Sequence, residues 1–322
     1  MTPFQRGVIV YVWCNVVSVV TVNFIRRVNN PVHCVNLKLT PMKTVEYKLN
    51  IASVSALILS VAKGLFDHGW SHEYISRIDF SAVEKQAADL YPVMPQLRNM
   101  VLLRKRMVRY LIQQLMDQHP QHQVCILAAG LDPLGLQLAE NYPHHLNNIY
   151  EIDKAWVYEK RELYASVSFN DERLHYLDAD ITNPQSLIET LMHNGYDPCE
   201  PTLIVFEGIM HYISEEQFLK IMRAFCSRTR NNAVIMDYTL PYEDICATAL
   251  DEAEELLEAW ENIIGTCPKQ YSRRKIMNLL SLLEAEIFDV YDMQAAEYVL
   301  NGHNKIYHAK GEGMMEMVAF SI

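Results

Sequence analysis

Hydrophobic and polar positions follow a helical pattern in the first part of the chain. In "ASVSALILSVAKGLFDHG", apolar residues recur three and four positions apart from Val54 to Leu65, and Gly69 closes the segment. Two further helices are predicted, in "FSAVEKQAADLYPVM", which stops at Pro92, and in "QLRNMVLLRKRMVRYLIQQLMDQH", which Pro120 follows. A helical segment therefore leads into the rest of the chain.

Strand and helix signals alternate after this segment. Short apolar runs predict strands at 124–128, 147–153 and 201–208, and further strands in "LHYLDADI" and "NAVIMDYTL". Helical patterns separate these runs, and two more helices and two strands, near "FDVYDM" and "MMEMVAFSI", complete the chain. This alternation predicts an α/β fold: a doubly wound, mostly parallel sheet of seven strands with helices on both faces.

The first 41 residues differ from the rest because they contain Arg and Lys but no Asp or Glu. Within them, residues 8–25 are apolar and β-branched, near the lower length limit for a membrane span. Three interpretations are favoured: a signal anchor with Arg26 and Arg27 as its cytoplasmic flank, an upstream extension before Met42, and an added strand. A cleaved signal peptide is disfavoured because no small-x-small cleavage site follows. We therefore expect an extension over 1–41 and one domain over 42–322, with a helical cap at 50–120 and a core at 123–322.

Composition narrows the function classes. A net charge of −11 and a pI near 5.5 argue against a nucleic-acid partner held by phosphate contacts. The seven cysteines include no CxxC pair, so neither a disulfide framework nor a metal site is expected, and the thiols suggest a cytoplasmic protein. A membrane contact is expected only if residues 8–25 are an anchor, and the oligomeric state is not indicated.

Acidic residues follow four successive predicted strands. They are Asp132 after the first strand, Asp153 after the second, Asp180 after the third and Glu207 after the fourth. In an open parallel sheet, ligands bind beyond the carboxyl ends of the strands. Four acids at one edge would repel one another without a ligand or cation between them, so together they favour a binding site.

The spacing of these acids suggests an adenosyl ligand. Asp153 lies about twenty residues beyond Gly130, where a carboxylate accepts from ribose hydroxyls. Asp180 is placed to accept from an adenine amino group, and Ile181 to lie against the ring. The first turn lacks GxGxxG, and Asp132 would face a pyrophosphate, which disfavours a nicotinamide-dependent oxidoreductase. S-Adenosylmethionine, which carries an ammonium and a sulfonium, fits better.

Four segments together resemble a known family. "ILAAGLDPLGLQL", "IYEIDKAWVYEKR", "YLDADITNPQSL" and "PTLIVFEGIMHYISEEQFLKIM" occur in order and at suitable spacing. They resemble the leucine carboxyl methyltransferase-like branch of class I S-adenosylmethionine-dependent methyltransferases, which includes phosphatase 2A methyltransferases and polyketide O-methyltransferases. The resemblance covers residues 53–238. It implies a Rossmann-like fold, S-adenosylmethionine as cofactor, and O-methylation of a carboxylate or hydroxyl on a small metabolite or a protein C-terminus.

The resemblance also implies roles for particular residues. Arg104 takes the place of an arginine that binds the cofactor carboxylate, and Arg106 is expected to share that role. The other implied cofactor-binding residues are Ala129, Gly130 and Asp132 in the first turn, Asp153 at the ribose, Asp180 and Ile181 at the adenine, and Glu207 near the methionine end.

The acceptor decides what chemistry the protein must supply. A carboxylate is already ionised at neutral pH and needs no base, whereas a phenol or an alcohol benefits from one. His211 and Tyr212, just past the fourth strand, are the candidate catalytic residues. Tyr238, Tyr242, Trp260 and Tyr271 are candidates for lining an acceptor pocket.

The first turn departs from the family pattern "LGAGLDTRAYRL". Ala128 replaces a glycine, which costs little if its φ is negative, and Pro133 and Leu134 replace the threonine and arginine. Loss of that pair leaves open an alternative function, a degenerate protein that binds an adenosyl cofactor without turnover.

Overall fold

The computed structural model describes residues 7–13, 16–22, 49–50, 53–87, 90, 92–167 and 171–322. The chain divides into two compact units, Met1–Val45 and Glu46–Ile322. In the first unit, strands β1 (Gly7–Trp13) and β2 (Val16–Val22) pair antiparallel. The described part of the apolar stretch at 8–25 is therefore a pair of strands, and residues 14–15 and 23–25 lie outside the described residues. None of the helices that the structure describes has the length and hydropathy to cross a membrane.

The second unit contains the remaining elements. Its strands are β3 (Leu49–Asn50), β4 (Ile78–Asp79), β5 (Gln123–Leu127), β6 (Asn148–Asp153), β7 (Leu174–Asp178), β8 (Thr202–Phe206), β9 (Ala233–Thr239), β10 (Glu286–Asp292) and β11 (Met315–Ser321). Its helices are α1 (Val54–Ala62), α2 (Gly69–Ser76), α3 (Ser81–Ala87), α4 (Met94–Gln118), α5 (Leu134–Asn141), α6 (Val157–Ser166), α7 (Pro184–His193), α8 (Glu215–Ala224), α9 (Leu250–Ile264), α10 (Arg273–Leu282) and α11 (Met293–Asn301).

Seven of these strands form one mostly parallel sheet, in the order β10-β11-β9-β8-β5-β6-β7. Strands β5 to β9 pair in parallel, and β11 runs antiparallel to both of its neighbours. The strand order reverses between β5 and β8, because β6 and β7 extend the sheet on one side and β8 and β9 on the other. The predicted fold class is confirmed, and the reversal marks the place where doubly wound sheets bind ligands.

The central strands are apolar because helices cover both faces of the sheet. Every residue of β5, β8 and β9 is buried, whereas the edge strand β10 is largely exposed. Helix α4 packs against α1, α9 and α11 as well as the sheet. Two of its cationic residues, Arg104 and Lys105, consequently lie on its buried face.

Two helices appear where the hydrophobic pattern predicted none, α2 and α11. Gly69, predicted to close the first helix, instead begins α2 with a φ of +65°. Helix α1 ends earlier, at Ala62, and one 3₁₀ turn follows it. The hydroxyl of Tyr74 in α2 donates to the carbonyl of Leu131 at 2.9 Å, so this helix supports the turn after β5.

Candidate functional site

A cavity of about 280 Å³ lies at the carboxyl ends of β5, β6 and β8, at the reversal of strand order. Helices α1, α4 and α9 provide its other walls. Its polar lining residues are Ser55, Arg104, Lys105, Asp132, Asp153, Glu207, His211 and Tyr212, and its apolar lining includes Ala128, Ala129, Leu134, Trp156 and Trp260. The sheet therefore brings together most of the residues that the strand-end argument selected.

The turn after β5 forms one wall of the cavity. Gly130 has a φ of +52°, and a Cβ there would lie 2.3 Å from the Oγ of Ser55, so any other residue would be strained and would displace the Ser55 hydroxyl. The amide of Gly130 donates to Oδ2 of Asp153 at 2.7 Å, and the amide of Leu131 donates to Ser55 Oγ at 2.8 Å. The turn is thus held by β6 on one side and by α1 on the other.

Two residues other than glycine that line the same cavity have left-handed backbone conformations. Ala128 has a φ of +49° and Trp156 a φ of +63°. The condition under which alanine at position 128 would cost little, a negative φ, is therefore not met. Such conformations cost about 1–3 kcal/mol each in residues other than glycine, and they cluster at functional sites.

Five charged groups form a buried cluster beside the cavity. Arg104 Nε lies 3.0 Å from Oε1 of Glu207, and its Nη1 lies 3.7 Å from Oδ2 of Asp237. Lys105 Nζ donates to the same Glu207 oxygen at 2.9 Å and to Asp132. Three carboxyl groups thus face two cations, and Arg104, Lys105 and Asp237 are each at most 7 % exposed.

Burial and the neighbouring cations shift the pKa values of these carboxyl groups in opposite directions. Burial alone would raise the pKa of Asp132, but Lys105 and Arg109 lower it to about 2. At Glu207, Lys105 and Arg104 likewise outweigh burial and lower the pKa. Burial prevails at Asp237, whose pKa is raised. Oδ1 of Asp132 has no hydrogen-bond partner among the described residues and is available to an incoming donor.

A second buried ion pair, between Lys160 of α6 and Glu151 of β6, supports the turn after β5. Lys160 Nζ donates to the carbonyl of Asp132 at 2.6 Å and lies 3.0 Å from Oε2 of Glu151. The other oxygen of Glu151 accepts from the amide of Gly135 and the hydroxyl of Tyr164. The turn that contains Pro133 is therefore held in place without the threonine and arginine of the family pattern.

Three of the predicted cofactor-binding residues lie outside the cavity lining. Arg106 faces away from it, because its Nη2 donates to Oδ1 of Asn301 in α11 at 2.8 Å. Asp180 Oδ1 accepts from the amide and hydroxyl of Thr182, which lower its pKa. Ile181 is buried beside it. The expected sharing of a role between Arg104 and Arg106 is not supported by this geometry.

The two candidate catalytic residues line the far side of the cavity. His211 is 6 % exposed, and its Nε2 has no hydrogen-bond partner among the described residues. Burial, together with the positive charges of Arg104 and Lys269, lowers the pKa of His211 to about 3. Tyr212 is 43 % exposed, with its ring centroid 4.1 Å from that of His211.

Of the four aromatic residues expected near the acceptor, the structure brings Trp260 to the cavity, 6.2 Å from the His211 ring. Tyr238 is buried in β9 and donates to Glu316, and Tyr271 donates to the carbonyl of Ile213. Tyr242 lies in a different surface depression. These three side chains do not line the cavity.

Sequence reasoning missed four residues that shape the site: Ser55, Lys105, Trp156 and Asp237. A signal existed for Lys105, because it falls on the apolar stripe of α4. Asp237 is the one acid in the predicted strand "NAVIMDYTL", and an acid within an apolar run indicates a buried partner. Nothing in the sequence indicated the contact of Ser55 or the backbone of Trp156.

Comparison with known proteins gives a consistent result. The model of the family "Leucine carboxyl methyltransferase" matches residues 57–226. A DUF574 family protein from Streptomyces avermitilis has a similar structure, with a TM-score of 0.62 and 13% identity over 84% of this chain and 97% of its own. A Thermobifida fusca protein described as a methyltransferase gives the same TM-score and identity over 86% and 96%. At such identities these likenesses show the fold. No curated protein matches the chain in sequence.

Proposed function

The chain belongs to the leucine carboxyl methyltransferase family, whose members depend on S-adenosylmethionine, and we propose that it methylates the carboxylate oxygen of its acceptor. The family match covers more than half of the chain. The choice of a carboxylate over a hydroxyl is our proposal, and the environment of His211 in the cavity supports it.

The observation that carries the proposal is the buried charge cluster at the reversal of strand order. Asp132 and Glu207 lie beside Arg104 and Lys105 there, so a ligand that carries both positive and negative groups meets a partner of each sign. The methionine end of S-adenosylmethionine carries an ammonium, a sulfonium and one carboxylate. A pyrophosphate would meet the carboxylates of Asp132 and Asp153 instead, which disfavours a nicotinamide cofactor.

Particular residues fit the parts of the cofactor. We assign the ribose hydroxyls to Asp153, whose carboxylate lines the cavity beside Gly130. The free Oδ1 of Asp132 suits the ammonium, and Arg104 suits the carboxylate. We assign the adenine to Asp180 and Ile181. The amide of the preceding residue, Ala179, donates to the carbonyl of Asp153, and this bond holds both residues at the same sheet edge.

When bound, the cofactor supplies a methyl group on a positively charged sulfur, which is displaced in line. The protein's own contribution is to align the acceptor and exclude water. A base with a pKa near 3 removes protons from an alcohol or a phenol poorly, so His211 does not favour a hydroxyl acceptor. A carboxylate needs no base, and the neutral imidazole of His211 can instead donate a hydrogen bond to it.

A second candidate function has its own supporting observation. Ala128 holds a left-handed conformation in the cavity wall, at a position where the family pattern has glycine. A protein that binds the cofactor without turnover would tolerate this change. This candidate and the methyltransferase differ in whether a methylated product appears.

The test is calorimetry with S-adenosylmethionine, S-adenosylhomocysteine and NAD, followed by transfer of a labelled methyl group to carboxylic acids. Asp153→Ala should weaken S-adenosylmethionine binding by about 1–3 kcal/mol, because hydrogen bonds to an ionised acceptor are lost. Asp178→Ala is the control, since Asp178 pairs with Asp153 in register but lies outside the cavity lining. Unchanged affinity of Asp153→Ala would refute the ribose assignment. Binding without methyl transfer would favour the second candidate.

A further inference from the structure

A groove of about 710 Å³ lies beside the cavity, between α1 and α9. Val54 lines both spaces, so the groove and the cavity adjoin the same residue at the start of α1. Helix α9 also contributes to both, with Trp260 in the cavity and Ala259 and Ile263 in the groove. A molecule in the groove can therefore extend one end towards the cavity.

The groove combines an apolar floor with an acidic rim. Leu57, Val93 and Ile263 provide apolar side chains. Glu255 and Glu258 are the charged residues of its lining, and both are exposed. Neither forms an ion pair with a Lys, Arg or His of the described residues. A ligand with an apolar body and a positive charge complements this surface.

The cavity end of the path has the opposite character. The unpartnered Nε2 of the buried His211 lies on this side, next to Trp260. Lys269 adds positive charge close enough to affect the imidazole. Between them, these groups favour an anion.

We infer that the acceptor is an elongated carboxylic acid with an apolar body and a cationic amine at its far end. The inference rests on the proposed methyl transfer and specifies its substrate class. Glu255 precedes Trp260 by five residues, which is about 7.5 Å along the helix axis and about 140° around it, so we expect a chain of several carbons between the amine and the carboxylate.

The reaction balances without a further reactant. The carboxylate oxygen forms the new bond to the methyl carbon, and the bond from that carbon to sulfur breaks with its electron pair left on sulfur. The products are S-adenosylhomocysteine and an ester whose carboxyl end is uncharged, and no proton is transferred. The amine of the acceptor stays protonated throughout and remains paired with Glu255 and Glu258.

The test compares three acids of equal length that differ at the far end: ω-aminooctanoate, octanoate and octanedioate. Calorimetry on the full-length protein, with and without S-adenosylhomocysteine, should show the tightest binding for ω-aminooctanoate and the weakest for octanedioate. Equal affinity for the three acids, or no binding of ω-aminooctanoate, would overturn the inference.

Variants of the groove separate its charge from its shape. The double variant Glu255→Gln/Glu258→Gln should lose roughly threefold to tenfold in affinity for ω-aminooctanoate and nothing for octanoate, as expected for exposed ion pairs. The matched control is Asp251→Asn/Glu254→Gln, which removes two charges of α9 outside the groove lining. Equal losses in the variant and the control would mean that the net charge of α9, and not the groove, attracts the ligand.

Turnover with labelled S-adenosylmethionine is measured separately on the same acids. Selective binding of ω-aminooctanoate without ester formation would support the ligand class and refute the proposed methyl transfer. Ester formation without preference for the amine would support the methyl transfer and refute the ligand class.

Discussion

The backbone strain at Ala128 gives the sharpest test of the site as described. The residue has a φ of +49°, where the Cβ of an L-residue approaches the following carbonyl oxygen and costs about 1–2 kcal/mol. Ala128→Gly removes that cost. Glycine loses more conformational freedom on folding, which opposes the gain by about 0.5–1 kcal/mol. The net change in the free energy of unfolding should lie between about zero and 1.5 kcal/mol in favour of the variant.

The neighbouring residue provides a matched control. Ala129 has no positive φ and is 8 % exposed. Ala129→Gly therefore incurs the entropic cost of glycine and also loses a buried methyl group, which contributes about 0.8 kcal/mol. It should destabilise the protein by about 1–2 kcal/mol. The same chemical change at adjacent positions thus has opposite expected signs.

The assay is urea-induced unfolding of the wild type and both variants, followed by far-ultraviolet circular dichroism. Calorimetry with S-adenosylhomocysteine adds a second readout, because Ala128 lines the cavity and loss of its Cβ should raise the affinity. If Ala128→Gly destabilises the protein as much as Ala129→Gly does, the left-handed conformation is absent in solution and the argument from strain fails.

Two further predictions concern buried charge. Lys105→Met leaves Asp132 and Glu207 short of one cation and should lower the free energy of unfolding by about 3–5 kcal/mol. The control Arg106→Met should change it by less than about 0.5 kcal/mol. Equal effects of the two variants in urea titrations would contradict the pairing of Lys105 with these carboxylates. His211 has a pKa lowered from 6.5 to about 3, so the unfolded state binds one more proton between these pH values, and stability contributed by this group is lost as the pH falls through that window. His211→Asn should therefore lose less stability than the wild type between pH 6.5 and 4.5, by up to about 1.4 kcal/mol per pH unit, and parallel pH profiles would refute the assignment.

The seven-stranded sheet was predictable because its central strands are buried, largely apolar runs and segments with helical periodicity separate its strands. Buried strands such as β8 leave little ambiguity when turn signals bound them. Helix α2 escaped prediction because "GWSHEYIS" is short, largely polar and begins with glycine. It forms through tertiary contacts, including the bond from Tyr74 to the turn after β5, which a local pattern does not reveal.

Strand ends located the site because the carboxyl ends of parallel strands share one edge. This rule placed Asp132, Asp153 and Glu207 at the cavity. Asp180 lies at the same sheet edge but outside the cavity lining, and its side chain bonds to Thr182 two residues later. Such local competition between side chain and backbone is decided by rotamers and loop geometry, which the order of residues does not specify.

The choice among the cations of α4 was, by contrast, available from the helical period. Arg104 and Lys105 lie three and four positions beyond the buried Val101, and the buried Val108 lies seven positions beyond Val101. Arg106 falls on the other side of the helix. The family pattern directed attention to the two arginines, whereas the 3.6-residue repeat indicated the lysine between them.

The repulsion among strand-end acids, used to infer a ligand, leads to a different conclusion once the cations are known. Lys105 pairs with Asp132 and Glu207, and Lys154 lies 3.5 Å from Asp180, so the chain itself offsets most of the repulsion. The acids alone therefore do not require a cofactor. The residues that line the cavity contribute two of the buried polar atoms without partners, Oδ1 of Asp132 and Nε2 of His211, and an unsatisfied buried polar atom costs about 1–3 kcal/mol that a bound donor or acceptor can recover. These two atoms lie in the same cavity, one suited to the methyl donor and the other to its acceptor.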